Sequence, residues 1–101
     1  MAMFKDVIKL ITVSFKLDEL AQQIEVKNER TVFANKKNVS QSEFFNAGQV
    51  GLKPQYLFEI RLSEYGGEGE LVFNNKSYSI YRTYEKGENI ELYCEVRVGG
   101  N

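Results

Sequence analysis

Two carboxylates and one thiol near the end of the chain are the residues whose spacing could support catalysis. Glu91 and Glu95 fall on one face of a predicted strand, and paired carboxylates can act as general acid and base. Cys94 falls on the apolar face, which suits a small core residue better than a nucleophile. The sequence has no histidine, so the commonest general base is missing. We therefore predict that Glu91 and Glu95 lie on a solvated or interface face and that the protein is not an enzyme.

Motifs that bind metals or cofactors are also missing from the sequence. A single cysteine excludes an intramolecular disulfide and a Cys-x-x-Cys site. No acidic calcium loop occurs. Gly66, Gly67 and Gly69 lack the spacing of a phosphate loop or dinucleotide fingerprint, and no predicted helix follows them. We expect no cofactor and no metal.

Tyrosines beside an arginine leave a nucleic-acid alternative open. Tyr78, Tyr81, Tyr84 and Tyr93 with Arg82 could form a stacking platform for single-stranded nucleic acid on a β-barrel. Period-two tyrosines also support a sheet by cross-strand packing. The 13 basic and 14 acidic residues nearly balance, whereas a nucleic-acid-binding domain usually carries a basic excess. We therefore favour packing as the role of these tyrosines.

The elements that would position these residues are strands within one domain. A chain of 101 residues with 43% hydrophobic residues can bury a modest core, so residues 1–101 are interpreted as a single domain. The single thiol fits a reducing cytoplasm. The N-terminal apolar run is too short and interrupted for a membrane span and carries no signal-peptide cleavage pattern. Six strands are predicted, over residues 7–17, 24–34, 56–65 and 90–98 and in a hairpin over residues 70–85.

The strand patterns also predict which residues face the core. On the first strand Val7, Phe15 and Leu17 fall on the predicted apolar face with Ile11 and Val13. The second strand has mixed phase, which a bulge or an edge position would explain. The hairpin turns at Asn74-Asn75, and the first strand ends in a turn begun by Asp18. The absence of βαβ spacing favours a small antiparallel β-barrel or sandwich of about six strands.

One long connection of about twenty residues separates the second and third strands, and residues 39–53 form an insert within it. Ser40 and Glu43 form a capping-box pattern that starts a short helix. Phe44 and Phe45 follow, about 100° apart on a helix, so one narrow groove cannot cover both. Either both residues plug the open end of the barrel, or at least one contacts a neighbouring protein.

The same connection is predicted to be mobile in the free subunit. Gly48 and Gly51 are interpreted as hinge positions. Leu52 and Lys53 complete the segment, and Pro54 fixes the entry to the third strand. A helix of fewer than about 12 residues needs packing partners to persist. We therefore expect residues 39–53 to become ordered, or to move, on binding a partner.

Several sequence blocks resemble a known family. "RTVFAN" (residues 30–35), "SEFF" (42–45), "GLKP" (51–54), "IYRTY" (80–84) and "ELYCE" (91–95) occur in the order and spacing of the head–tail joining proteins of long-tailed bacteriophages. The resemblance is to the head-closure, or stopper, group. It covers residues 30–98. The motif residues carried over from this resemblance are Arg30, Phe33, Arg82, Tyr84, Glu91 and Tyr93.

The resemblance implies a structural role in the virion. Members of the family are small β-barrels with a long excursion between the second and third strands. They assemble as a ring of identical copies below the portal and adaptor proteins, close the DNA exit channel after packaging, and present a docking face for the tail. The expected location is therefore the head–tail interface of a virion assembled in the bacterial cytoplasm, without a membrane. Tail-terminator and adaptor layers are the alternatives within the connector, and adaptors are usually helical.

The resemblance also suggests a role for surface acids. Glutamates along a channel wall could repel DNA, although a run of surface charges more often serves solubility. The residues considered for this role are Glu64, Glu68, Glu70, Glu88 and Glu91.

Overall fold

Six strands and one short α-helix make up the computed structural model, which describes residues 4–96. The single α-helix, α1, lies between the second and third strands, and a 3₁₀ turn at Leu62–Glu64 follows the third. The elements in chain order are β1 (Asp6–Leu17), β2 (Gln23–Asn38), α1 (Gln41–Gly48), β3 (Pro54–Arg61), β4 (Glu70–Phe73), β5 (Lys76–Lys86) and β6 (Asn89–Val96).

The strands close into an antiparallel barrel in the order β1-β2-β3-β6-β5-β4. This architecture confirms the predicted fold class, including the short helix between the second and third strands. The barrel interior is filled by aliphatic and aromatic side chains from all six strands. The buried cluster consists of Ile8, Leu10, Val32, Ala34, Phe58, Ile60, Leu71, Tyr78, Ile90, Leu92 and Cys94.

The inward face of β1 is the opposite of the predicted one. Ile8 and Leu10 are fully buried, whereas Val7, Phe15 and Leu17 are exposed. The strand carries apolar residues at both parities, so its pattern does not decide which face meets the core. On the predicted face Ile11 is buried and Val13 is half-buried.

Beyond Ile11, the β1–β2 pair leaves the barrel as a two-stranded extension. β4 pairs with β1 only from Lys9 to Ile11, and β3 pairs with β2 only from Asn35 to Asn38. Within residues 4–96, residues 12–17 and 23–28 therefore pair only with each other. We call residues 12–28 the arm. The edge position explains the mixed phase of the second strand, as expected.

The two turns predicted from side-chain chemistry are present. In the turn of the arm, Asp18 Oδ1 accepts hydrogen bonds from the backbone N–H groups of Leu20 (2.8 Å) and Gln22 (2.9 Å). Asn74 and Asn75 have φ values of 52° and 63°, which is the left-handed backbone that a two-residue hairpin requires.

The predicted inward faces of β3 and β6 are confirmed, although Glu59 and Glu91 on the opposite faces are buried as well. Phe58 and Ile60 on β3, and Leu92 and Cys94 on β6, are fully buried. β3 ends at Arg61, earlier than predicted, because the chain enters the 3₁₀ turn. β2 continues past its predicted end at residue 34 to Asn38, so the connection to β3 is residues 39–53 rather than about twenty residues. Val98, the predicted end of the last strand, lies outside the described residues.

Candidate interaction surface

The start of α1 forms one half of the predicted capping box. Ser40 Oγ accepts a hydrogen bond from the backbone N–H of Glu43 (3.1 Å), which satisfies one of the free donors of the first turn. The Glu43 carboxylate was expected to return to the Ser40 backbone. Instead it bonds to Tyr81 and Arg82 on β5. The glutamate therefore ties the helix to the barrel wall.

The end of α1 is a Schellman motif. The backbone N–H of Leu52 donates to the Ala47 carbonyl (3.0 Å), and that of Gly51 donates to the Gly48 carbonyl (3.1 Å). Gly51 adopts φ +89°, a conformation that a residue with a Cβ rarely adopts. Gly51 therefore stops the helix, while Gly48 lies inside its last turn. The Lys53 N–H then donates to the Glu95 carboxylate on β6 (3.1 Å).

A β-bulge in β5 turns two successive side chains towards α1. Ile80 pairs with Cys94, and Arg82 pairs with Tyr93, so Tyr81 is the extra residue. The alternation of residues 78–84 in the sequence predicts that Arg82 shares the face of Tyr78. That prediction is wrong, because Tyr78 is buried in the core and Arg82 is exposed. The bulge shifts the phase by one residue.

The Glu43–Arg82 pair is the centre of a small polar network. Arg82 Nη2 and Nε donate to Glu43 Oε1 (2.5 Å) and Oε2 (3.4 Å), and Tyr81 Oη donates to Oε2 (2.8 Å). The Arg82 guanidinium lies 4.1 Å from the centre of the Tyr93 ring, within cation–π range. Tyr93 Oη donates to the Glu91 carboxylate (3.0 Å). Four of the residues singled out from the sequence, Glu43, Arg82, Glu91 and Tyr93, therefore meet here.

This network changes the pKa values of its members. Burial alone would raise the pKa of Glu43, but the hydrogen bonds from Arg82 and Tyr81 outweigh it, and the net pKa lies below its ordinary value. The hydrogen bond to Glu43 raises the pKa of Arg82. Burial, reinforced by the bond to Glu43, raises the pKa of Tyr81 above its usual range. The glutamate and the arginine are therefore charged, and Tyr81 neutral, near neutral pH.

A cleft of about 460 Å³ lies between α1 and β5. Its walls are more apolar than polar. The lining residues are Glu43, Asn46, Ala47, Val50, Leu52, Tyr81 and Arg82.

The two phenylalanines of α1 face outwards. Phe44 and Phe45 are 53% and 65% exposed, and their rings meet edge to face at 6.4 Å between centroids. They do not plug the barrel, so that alternative is wrong. Of the helix residues only Ala47 is buried. The helix therefore presents its largest apolar side chains to solvent.

A second polar cluster on the barrel wall was missed by the sequence analysis. Glu59 on β3 lies directly opposite Glu91 on β6, and both are buried, at 5% and 8% exposure. Lys37 Nζ bonds to Glu59 (2.8 Å) and approaches Glu91 (3.9 Å). The Asn89 amide also donates to Glu59 (2.9 Å). Of the predicted solvated or interface face, the solvated alternative is therefore wrong for Glu91, the interface alternative stays a prediction, and Glu59 shares the site of Glu91.

The remaining motif residues lie apart from α1. Arg30 forms a 2.8 Å ion pair with Glu68, which is 7% exposed and also accepts from the Gly66 N–H (2.8 Å). Arg30 thus anchors the loop before β4. Phe33 and Tyr84 are exposed, at 60% and 53%.

The tyrosine platform and the acidic channel surface considered above both lack some of their expected members in the structure. The tyrosine platform is not formed, because Tyr78 is inside the barrel and Tyr81 and Tyr93 are engaged with Glu43 and Arg82. The acidic channel surface loses Glu68 and Glu91, which are buried and paired.

In the described part of the chain neither a metal-ligand group nor a membrane-spanning helix is found, and the sequence comparisons give no relative. Within residues 4–96, no group of three potential metal ligands occurs, and no helix is long and apolar enough to cross a membrane. No protein-family model matches the chain, and a search of curated proteins gives no match.

Proposed function

We propose that this chain is a structural subunit of the head–tail connector of a long-tailed bacteriophage, of the stopper type. In this role, copies of the chain form a ring on the filled head, below the portal and adaptor proteins. The ring closes the DNA exit channel and provides the surface on which the tail docks. The subunit has no catalytic role.

The outward position of Phe44 and Phe45 is the observation that carries this proposal. Exposed aromatic pairs on a small subunit are typical of protein–protein contacts. The helix that bears them is fixed to the wall by Glu43 and Arg82, so the pair is presented in a defined orientation. Together with the sequence blocks that resemble stopper proteins, this favours a contact surface between virion proteins.

Tail-terminator function is the alternative that stays within the same structural class. Both roles use a ring of small β subunits, and they differ in whether the subunit binds the filled head or the end of the tail tube. We favour the stopper because the resemblance is to that group and extends through the α1 segment.

The test is binding to filled heads. Portal-bearing, DNA-filled heads that lack this protein are mixed with the purified chain, and the vertex is viewed by electron microscopy. We expect an added ring and packaged DNA that becomes resistant to nuclease. A variant with Phe44→Ser and Phe45→Ser should fold but add no ring.

Phe33→Ser is the matched control, because Phe33 is as exposed as the helix phenylalanines but lies on β2. Addition to tail ends but not to heads would favour the terminator role. No binding to either, with salt-sensitive binding to oligonucleotides, would replace the proposal with nucleic-acid binding.

A further inference from the structure

The arm carries a second group of exposed apolar side chains. Phe15 and Leu17, 60% and 66% exposed, lie two residues apart on one face of β1, and Leu20 in the turn is 76% exposed. We call these three residues the arm patch, and Phe44 with Phe45 the helix patch. An isolated two-stranded hairpin has little stability of its own in water, so burial of this patch would stabilise the arm.

The two patches lie at opposite ends of the molecule. The turn of the arm lies at the start of β2, and α1 follows the end of β2. β2 runs from Gln23 to Asn38. A strand of this length spans roughly 50 Å, which equals the longest dimension of the subunit, 50 Å. The arm patch therefore cannot reach the helix patch of its own chain.

The helix that bears the helix patch has no unpaired charge. Glu43, the charged residue of α1, is already paired with Arg82. On the arm, Glu25 lies opposite Phe15 and approaches Lys27 at 4.0 Å. Lys16, Asp18 and Glu19 flank Leu17 and Leu20 on the arm, and α1 carries no unpaired charge that would repel them.

From these observations we infer that the arm patch of one copy binds the helix patch of the next copy. Such a head-to-tail contact uses two different surfaces, so it propagates from copy to copy and closes into a ring when the rotation allows. This inference names the two surfaces that would meet in the ring of the proposed function. The contact itself does not depend on that function; only the closure of the ring on a head rests on it.

The contact is weak between free subunits. Two half-exposed phenylalanines present roughly 200–250 Å² of apolar surface, and a stable pair buries about 1,000 Å² or more in total. Association should therefore appear at high concentration and become strong only where a head holds many copies side by side.

Complementation between two variants tests the arrangement. Phe15→Glu removes the arm patch and keeps the helix patch, while Phe45→Glu does the reverse. By sedimentation velocity at roughly 0.1–1 mM, the wild type should form concentration-dependent oligomers and each variant alone should be monomeric. The two variants mixed should form 1:1 dimers that do not grow further.

Phe33→Glu is the matched control, because Phe33 and Phe15 are both 60% exposed and share one face of the β1–β2 ribbon. It should associate like the wild type. Dimers of Phe45→Glu alone would show arm-to-arm pairing and overturn the inference. A monomeric mixture, or a Phe33→Glu variant as impaired as Phe15→Glu, would also overturn it.

Disulfide trapping detects the same contact if association is too weak to be seen by sedimentation. Leu17→Cys in one chain and Phe45→Cys in another should form a mixed disulfide far faster than Leu17→Cys with Asn75→Cys, because Asn75 lies in the β4–β5 turn. The native Cys94 is buried and stays unreacted. Equal rates would refute the contact even if rings form on heads, and fast trapping without head binding would refute the proposed function alone.

Discussion

Glu43 on α1 and Arg82 on β5 form the ion pair that fastens the helix to the barrel. The two residues are separated by 39 positions in the sequence, and their contact is reinforced by Tyr81, the extra residue of the β5 bulge. Arg82 is partly exposed, so the pair contributes about 1 kcal/mol or less to stability. α1 is therefore oriented by a contact that can open without unfolding the barrel.

The first prediction concerns the mobility of residues 39–53. In the free subunit, amides of residues 41–49 should exchange with solvent faster than those of residues 91–96. The reason is that α1 buries only Ala47, whereas Leu92 and Cys94 of β6 are fully buried. Equal protection of the two segments in hydrogen-exchange mass spectrometry would show that α1 is core structure.

Glu43→Gln should widen this difference. The variant keeps the backbone N–H that donates to Ser40 but weakens the bonds to Arg82, so exchange in α1 should accelerate. Global stability should fall by about 1 kcal/mol or less. Glu19→Gln, an exposed residue in the turn of the arm, is the control and should leave exchange in α1 unchanged.

The second prediction concerns Cys94. Its thiol is fully buried, and burial raises its pKa to about 12, so little thiolate forms at about pH 8. Native protein should label with a thiol reagent only as fast as it unfolds, while urea-unfolded protein labels at once. Rapid labelling of the native protein would contradict the burial.

Cys94→Ser should lower the free energy of unfolding by about 1–3 kcal/mol, because it places a hydroxyl in an apolar site. Urea unfolding measures this loss. An unchanged midpoint would mean that the site admits water.

The sequence was sufficient to predict the inward face of a regular barrel strand without a bulge, such as β6. Leu92 and Cys94 on β6 alternate with more polar residues, and one phase satisfies the pattern. On β1 this logic failed, because half of the strand belongs to the arm and carries Phe15 and Leu17 outside the barrel. Exposed apolar side chains such as Phe15 and Leu17 have the same residue types as core side chains, so the sequence alone does not distinguish them.

The members of the candidate site could be named from the sequence, but not their pairing. The Ser40–Glu43 spacing predicted a capping box in which Glu43 bonds to its own helix. The bulge at Tyr81 instead brings Arg82 to the outer face and diverts the carboxylate. The residue pattern of an alternating strand does not show where a bulge occurs. A contact that depends on a bulge, such as Glu43–Arg82, therefore could not be predicted from the sequence.

The third prediction concerns the turn between β4 and β5. Asn75 has φ 63°, which is costly for a residue with an ordinary Cβ, so Asn75→Ala should destabilise the protein by roughly 1–2 kcal/mol. Asn75→Gly should be close to neutral. Asn46→Ala, on the exposed side of α1, should cost nothing because alanine favours helix. A loss in thermal unfolding at position 46 equal to that at 75 would contradict the turn argument.

The fourth prediction concerns the pH dependence of stability through Glu59. The hydrogen bond from Lys37 lowers the pKa of Glu59, burial opposes this, and the amide of Asn89 adds to the lowering, so the net folded pKa lies below the ordinary value of 4.5. A carboxyl with a depressed folded pKa contributes stability that is complete above its unfolded pKa and is lost as the pH falls through the folded value. The stability that Glu59 contributes should therefore be maintained above pH 4.5 and decline as the pH falls below that value.

Glu59→Gln separates this site from the other carboxylates. Near neutral pH the variant should be about 1–2 kcal/mol less stable, since Lys37 is partly exposed and its charged hydrogen bond is only partly shielded from water. In a series of urea titrations from about pH 5 to pH 3, its stability should fall less steeply than that of the wild type. Glu25→Gln, on the arm, is the control for removing one surface carboxylate and should follow the wild-type curve. If Glu59→Gln also follows that curve, the buried carboxylate is not a source of the acid sensitivity, and the Lys37–Glu59 contact does not stabilise the barrel.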